Sequence, residues 1–485
     1  MRRFFGDGAI YAVTGVVGHG IAFLLFPFFA HVFEPRDFGL IDMLALVTVL
    51  VNLTIALEIS QGLGRHFADA TTLDERRGYA STALIFSVAA YSSVLVVALI
   101  FAPQLTDLIF GGGVDPNILR VSMCAMWTSG ILYLGQDLLR WQLRPRAYAA
   151  VALTTAGVTS ISAGVLILGF GVGVTGAFVA QLLGGLTAGT LAYWLGRDMF
   201  RPIFDRAKLR EMLAFSLPLV PASIGVFLNG YADRLAIQSQ MTLADVGIYG
   251  AAYRMAVIVG LVLLGFQAAL MPLVLARHAE PSTPPELERI FRLFCALALA
   301  VLLLVSIAAD AILRVLTPPA YYAAADVAPF VVAAAFFAGM YIFAPGLNIV
   351  KRTVPFAVIS ASAGLANLML AFALVGPLGI AGAALAFLLT SAAGFATLMV
   401  TSQRVYPVPH DWPRLITSAT GIGVLVAIAR TLPEQPALAV PANLAIAAAG
   451  LAAIVRWLVA PDERAHLMTL LARLRRLRPA VPRTP

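Results

Sequence analysis

The chain has 485 residues, 60% hydrophobic and 12% charged, with a formal net charge of +8. Soluble domains carry about 25% charged residues, so a string of soluble domains is excluded on charge alone. The basic residues sit in short clusters between apolar runs, which excludes a nucleic-acid face and fits membrane-flanking loops.

About fourteen apolar stretches follow one another, each near the ~20 residues that cross a bilayer core as helix. The predicted spans are approximately 9–33, 40–64, 79–102, 117–139, 148–170, 174–196, 213–238, 246–270, 290–309, 325–349, 355–375, 378–401, 414–432 and 437–459. The expected fold class is an all-α polytopic membrane protein. The first apolar run follows Arg2 and Arg3 and extends to about Phe33. It outlasts a signal-peptide core and lacks a small-residue cleavage site, so an uncleaved first span is expected. His19 and His31 lie on it ~18 Å apart and ~120° around the helix, too far to share a metal ion.

A charge at the bilayer centre costs about 2.5–3.5 kcal/mol on insertion scales, so each one needs a reason. On span two, Glu58, Gln61 and Arg65 would share one helical stripe. Glu58 either takes up a proton or cation coupled to transport, or pairs with Arg65 or Arg140. On span four, Asp137 and Arg140 stand three apart, as a local salt bridge does. Arg65, Arg140 and Arg144 would flank the mouth through which an anionic head group enters. Cys124 and Cys295 fall inside apolar spans without metal or disulfide spacing and read as small core residues.

Spans seven and eight carry the densest polar set. Asn229 either lines a cavity or bridges helices. Asp233 and Arg234 read as a snorkelling pair at the interface or as cavity groups. Tyr249 and Tyr253, four apart, either stack on sugar rings or pack against neighbouring helices. Arg254 lies deep in span eight. It is either a cavity cation for a diphosphate, which its planar fork suits, or the partner of Asp233 or Glu58. After Pro461 the tail places Leu467, Leu470, Leu471, Leu474 and Leu477 beside five arginines, as an interfacial amphipathic helix does.

Loop charges assign orientation. Arginine clusters recur on the loops of one face, from Arg2 and Arg3 to Arg456 and the tail. The opposite face carries only Arg36, Arg120, Arg314 and Arg430. Both termini are therefore expected in the cytoplasm. Short loops leave no room for a soluble catalytic domain. No GxxxxGK run ends at Lys208 or Lys351, the two lysines present, so no nucleotide cradle, cofactor or enzyme activity is expected.

An internal repeat is visible. Gly173-Val174-x-Gly176-Ala177 returns as Gly379-Ile380-x-Gly382-Ala383, offset 206, and Asp37-Phe38-Gly39-Leu40 as Asp245-Val246-Gly247-Ile248, offset 208. Six spans per repeat preserve orientation, so a parallel repeat about an axis along the membrane normal is expected. The expected organisation is a six-helix lobe over 1–200, a second over 201–405, two further spans over 406–460 and the basic tail over 461–485. Nothing demands more than a monomer.

The ordered set Phe33-Glu34-Pro35-Arg36-Asp37-Phe38-Gly39, Phe215-Ser216-Leu217-Pro218, Asp233-Arg234, Asp245-x-Gly247-x-Tyr249, Ala251-Ala252-Tyr253-Arg254 and Gly376-Pro377-Leu378-Gly379 resembles a known family. It is similar to bacterial polysaccharide-biosynthesis flippases of the multidrug/oligosaccharidyl-lipid/polysaccharide superfamily. The resemblance implies a fourteen-helix, two-lobed fold in the inner membrane. It implies movement of an undecaprenyl-diphosphate-linked oligosaccharide to the outer leaflet, for lipopolysaccharide or exopolysaccharide, with a polymerase and glycosyltransferases as partners. Substrate contacts would come from Arg254, Arg234, Asn229, Tyr253, Tyr249, Arg140 and Arg65, and ion coupling from Glu58, Asp137 or Asp233. The competing expectation is a cation-coupled antiporter of the multidrug and toxic-compound extrusion type.

Overall fold

Lipid offers no partner for a backbone N–H or C=O, so each apolar run must satisfy its own as helix. The computed structural model describes residues 2–350, 353–431 and 436–465, and no strand occurs among them. The helices are α1 (Arg2–Ala30), α2 (Pro35–Ile55), α3 (Ile59–Asp69), α4 (Leu73–Ile100), α5 (Ala102–Phe110), α6 (Pro116–Trp141) and α7 (Pro145–Ala163). They continue with α8 (Val174–Gly196), α9 (Arg206–Ser216), α10 (Val220–Gln240), α11 (Leu243–Met255), α12 (Val257–Arg277) and α13 (Thr283–Leu316). The rest are α14 (Ala324–Gly339), α15 (Gly346–Ile349), α16 (Thr353–Leu378), α17 (Ile380–Gln403), α18 (Trp412–Arg430) and α19 (Pro436–Leu458). Among the described residues, 13 stretches are long and apolar enough to cross a membrane. Helix α1, with 29 residues, adds a fourteenth.

The two halves pack alike. In the first, α1 lies on α7, α7 on α8 and α6 on α8; in the second, α10 lies on α16, α16 on α17 and α14 on α17. Gly173 (φ 68, ψ −149) starts α8 and Gly379 (φ 60, ψ −144) starts α17. That backbone region is open essentially to glycine alone, so the repeated motif is a repeated helix start. Helices α18 and α19 pack on each other and on α13, outside both six-span lobes.

Several predicted spans are broken rather than straight. Span two ends at Ile55. Leu57 (φ 49) and Glu58 (φ 53) then take left-handed backbone, and α3 leaves in a new direction. Ile59, Leu63 and Phe67, one turn apart, sink α3 into a cluster with Met212 of α9. The single stripe expected for Glu58, Gln61 and Arg65 is therefore incorrect: Glu58 precedes α3, whereas Gln61 and Arg65 belong to it. Span seven is two helices. A 3₁₀ turn at Leu217–Leu219, set by Pro218, divides α9 from α10. Together they cover 35 residues, about 52 Å as straight helix, far more than the ~30 Å hydrocarbon core. Span eight breaks at Ala256, and α14 of span ten stops at Gly339 in a 3₁₀ turn. The amphipathic tail lies beyond Ala465, outside the described residues apart from its first five.

Helix α9 joins the lobes and rests on α3 and α4, defining a linker face of the bundle. Helices α2 and α11 both start at the opposite, far face.

Candidate functional site

The lobes meet where α2 crosses α11 and α10, and the duplicated Asp-x-Gly motif builds that crossing. Each helix starts on the same device. The Asp37 carboxylate accepts from the Glu34 amide at 3.1 Å, and the Asp245 carboxylate from the Thr242 amide at 3.0 Å. Satisfying these donors fixes the first turn. Two residues on, each motif brings a glycine against the other helix. A methyl group on Gly39 would overlap the Leu243 carbonyl oxygen, and one on Gly247 the Pro35 carbonyl oxygen. The seam is therefore backbone on backbone and closed at the far face.

One ion pair crosses it. Arg254 of α11 donates to Asp42 of α2 through Nη2 at 2.9 Å and Nη1 at 3.4 Å. Its guanidinium also stacks 4.7 Å above the Phe38 ring and 5.2 Å from Phe26. Asp42 lies about 10 Å along α2 from the far face and Arg254 about 17 Å along α11, so the bridge spans the far half of the membrane. Neither expected partner, Asp233 or Glu58, holds Arg254. The side chains of Arg254 and Asp42 keep 24% and 16% exposure, so other groups can reach them. Arg254 also lines a pocket of about 220 Å³ that is otherwise apolar, walled by Phe26, Met255, Ile258, Val305 and Leu316.

Beside the seam, Asp233 is fully buried and accepts from the Tyr249 hydroxyl at 2.5 Å. Arg234, only 5% exposed, lies 4.3 Å over the Tyr253 ring and donates to the Gly230 carbonyl at 3.2 Å. The snorkelling expected of Arg234 is thus corrected. Helix α10 is packed at this level by Ala232, Ala236 and Ile237, so the cation is compensated internally by Asp233 and aromatic faces. Tyr249 and Tyr253 serve this cluster.

Asn229 both lines a pocket and bridges helices. Its backbone carbonyl, not its side chain, accepts from the Asn367 amide at 3.0 Å, and it borders a cavity of about 410 Å³ with Tyr341, Phe356, Thr390 and Ser391. In the first lobe, Asp137 is buried, bound by Arg140 at 2.8 Å and by the Ser60 hydroxyl. Arg65 pairs with exposed Asp69 at 3.2 Å, and Arg144 donates to the Leu195 carbonyl at 2.6 Å. Glu58 faces a separate cavity of about 370 Å³ and has no ion pair among the described residues. Sequence reasoning missed Asp42. The signal was present: it stands one turn past Gly39, on the face that the repeat motif presents to its duplicate.

The family model described as polysaccharide biosynthesis protein matches residues 28–325. The fold is similar to that of the lipid II flippase MurJ in an inward closed conformation, with a TM-score of 0.71 at 12% identity, covering 93% of this chain and 100% of that one. It is also similar to an inward-facing multidrug resistance MATE family transporter of the MOP superfamily, with a TM-score of 0.60 at 14% identity, covering 83% of this chain and 94% of that one. No curated protein matches the sequence.

Proposed function

The chain belongs to the polysaccharide biosynthesis protein family, and on that premise we propose that it is a flippase for a lipid-linked oligosaccharide. The substrate is an undecaprenyl-diphosphate-linked sugar, moved from the cytoplasmic to the outer leaflet of the inner membrane. The linker face and both termini are cytoplasmic, in accord with the arginine-rich loops there.

The observation that carries the proposal is the Arg254–Asp42 bridge across a closed seam, beside an apolar side pocket. A prenyl diphosphate offers both halves of that site what they accept: phosphate oxygens for the guanidinium fork and a hydrocarbon chain for the pocket. When the diphosphate takes Arg254, Asp42 loses its partner and faces a second anion. Like charges at that distance repel strongly in a partly buried site. Binding therefore disfavours the closed crossing of α2 and α11, and this differential affinity is what drives a switch between two states. Rocking of parallel lobes about such a crossing gives alternating access.

Cells carrying Arg254→Ala test this: surface polysaccharide is lost while membrane abundance of the protein stays normal. Normal polymer output would remove Arg254 from the mechanism. The alternative, a cation-coupled antiporter, draws support from the unpaired Glu58 and the MATE likeness. It predicts export of a permeant dye cation by the purified protein, abolished by Glu58→Gln.

A further inference from the structure

The cavity at the α2–α3 break belongs to neither the seam nor the side pocket. Its walls come from α2, the start of α3, α4 and α6 and include Asn52, Glu58, Ser87, Tyr91, Ser129 and Tyr133. Three features set it apart. Glu58 is held there by left-handed backbone at two consecutive non-glycine residues, Leu57 and Glu58. Such backbone is sparsely populated by residues other than glycine and persists only where the surroundings impose it. Ser87 is 1% exposed, yet its hydroxyl has no hydrogen-bond partner, and neither does the buried Oδ1 of Asn52. Buried polar atoms without partners are rare and ask for a ligand that supplies them. Tyr91 and Tyr133 add aromatic faces.

Resting on the flippase reading above, we infer that this cavity binds the sugar end of the oligosaccharide head group. Size decides against a bare coupling ion. A cavity of about 370 Å³ would hold a dozen waters at ~30 Å³ each, whereas it falls in the ~300–1,000 Å³ range of organic ligands. The chemistry agrees. Glu58, Asn52 and Ser87 present acceptors to sugar hydroxyls, and the tyrosine rings cover apolar sugar faces. Depth agrees too. The break lies 21 residues along α2, about 31 Å from the far face, at the depth of the linker-face head groups. Asp42 lies 13 residues before the end of α2 at Ile55, about 20 Å of helix, and Glu58 follows just beyond the break. A diphosphate at Arg254 and a sugar at Glu58 can be joined by an oligosaccharide and not by a single ring. The cavity thus selects head-group length as well as chemistry.

The test uses purified full-length protein in nanodiscs. Two probes are compared: undecaprenyl diphosphate, and the undecaprenyl-diphosphate oligosaccharide fraction extracted from the source organism. Wild type binds the sugar-bearing lipid at least about tenfold more tightly. Glu58→Gln and, independently, Ser87→Ala bring the two affinities within about twofold while leaving the bare diphosphate unaffected. An undiminished sugar preference in both variants would overturn the subsite and leave the flippase reading standing. So would a variant that alters only ion dependence. A wild type that binds neither lipid would overturn the flippase reading and the subsite together.

Discussion

Asp42→Asn removes one charge from the seam while keeping the side chain's shape. Two unit charges ~4 Å apart interact by about 4 kcal/mol at an effective dielectric of 20. The 24% and 16% exposure of the two side chains lowers this. The asparagine amide still accepts one hydrogen bond, and Phe26 and Phe38 still hold the guanidinium. A net loss of about 2 kcal/mol from the closed seam remains, or roughly a 30-fold shift toward the far-face-open state. A closed population of ~97% would fall to about half. Nitroxide labels at Leu108 and Val315, 81% and 79% exposed at the far ends of α5 and α13, report this by pulsed dipolar spectroscopy. The background replaces Cys124 and Cys295 with alanine. Wild type gives one short-distance peak, and Asp42→Asn adds a longer one of comparable weight. Identical distance distributions would refute the bridge as a latch.

Gly39→Ala and Gly247→Ala each force a methyl group into a facing carbonyl, so each shifts the same label pair toward long distances, by ~1–3 kcal/mol. Arg234→Ala leaves buried Asp233 without its cation and costs ~3–5 kcal/mol, read as a large drop in thermal stability and abundance. Arg254→Ala loses transport without that drop, which separates the two arginines. Leu57→Gly relieves left-handed strain and raises folding stability by about 1 kcal/mol, read as a higher melting temperature, with sugar preference retained. His410 lies between the last lobe helix and α18, its ring tilted 60° against Phe291 at 4.6 Å, and burial pushes its pKa from 6.5 down to about 4. The unfolded chain therefore binds a proton that the folded one refuses. Stability is full above pH 6.5 and falls by up to ~3 kcal/mol as the pH drops toward 4. His410→Phe removes that slope in detergent melting curves.

The architecture was legible because lipid leaves a chain few options. Fourteen apolar runs and a twice-written Gly-x-x-Gly start each have one physical reading, and the helices follow them. The breaks were not legible. No glycine or proline marks Leu57 and Glu58, and the left-handed turn there is imposed by the packing of α3 on α9. Pro218 did mark the α9–α10 turn, but proline is common in membrane spans and its effect depends on neighbours. Arg254 was recognisable as a charge needing a reason, yet its partner is 212 residues away and is fixed only by the docking of two lobes. Gly250 offered a clue: it is the repeat counterpart of Asp42, and a side chain there would overlap the Asp42 carboxylate. Of the two readings of Arg234, the snorkelling one fails because depth along a helix says nothing about which neighbours surround it.

In the proposed cycle Arg254 passes from Asp42 to a lipid diphosphate as the seam opens. Liposomes holding the purified protein and an undecaprenyl-diphosphate oligosaccharide test it through the appearance of sugar at the opposite leaflet, probed by a membrane-impermeant lectin. Rapid exposure is expected with wild type and near-background exposure with Arg254→Ala. Equal exposure from both proteins, or none from wild type, would contradict it.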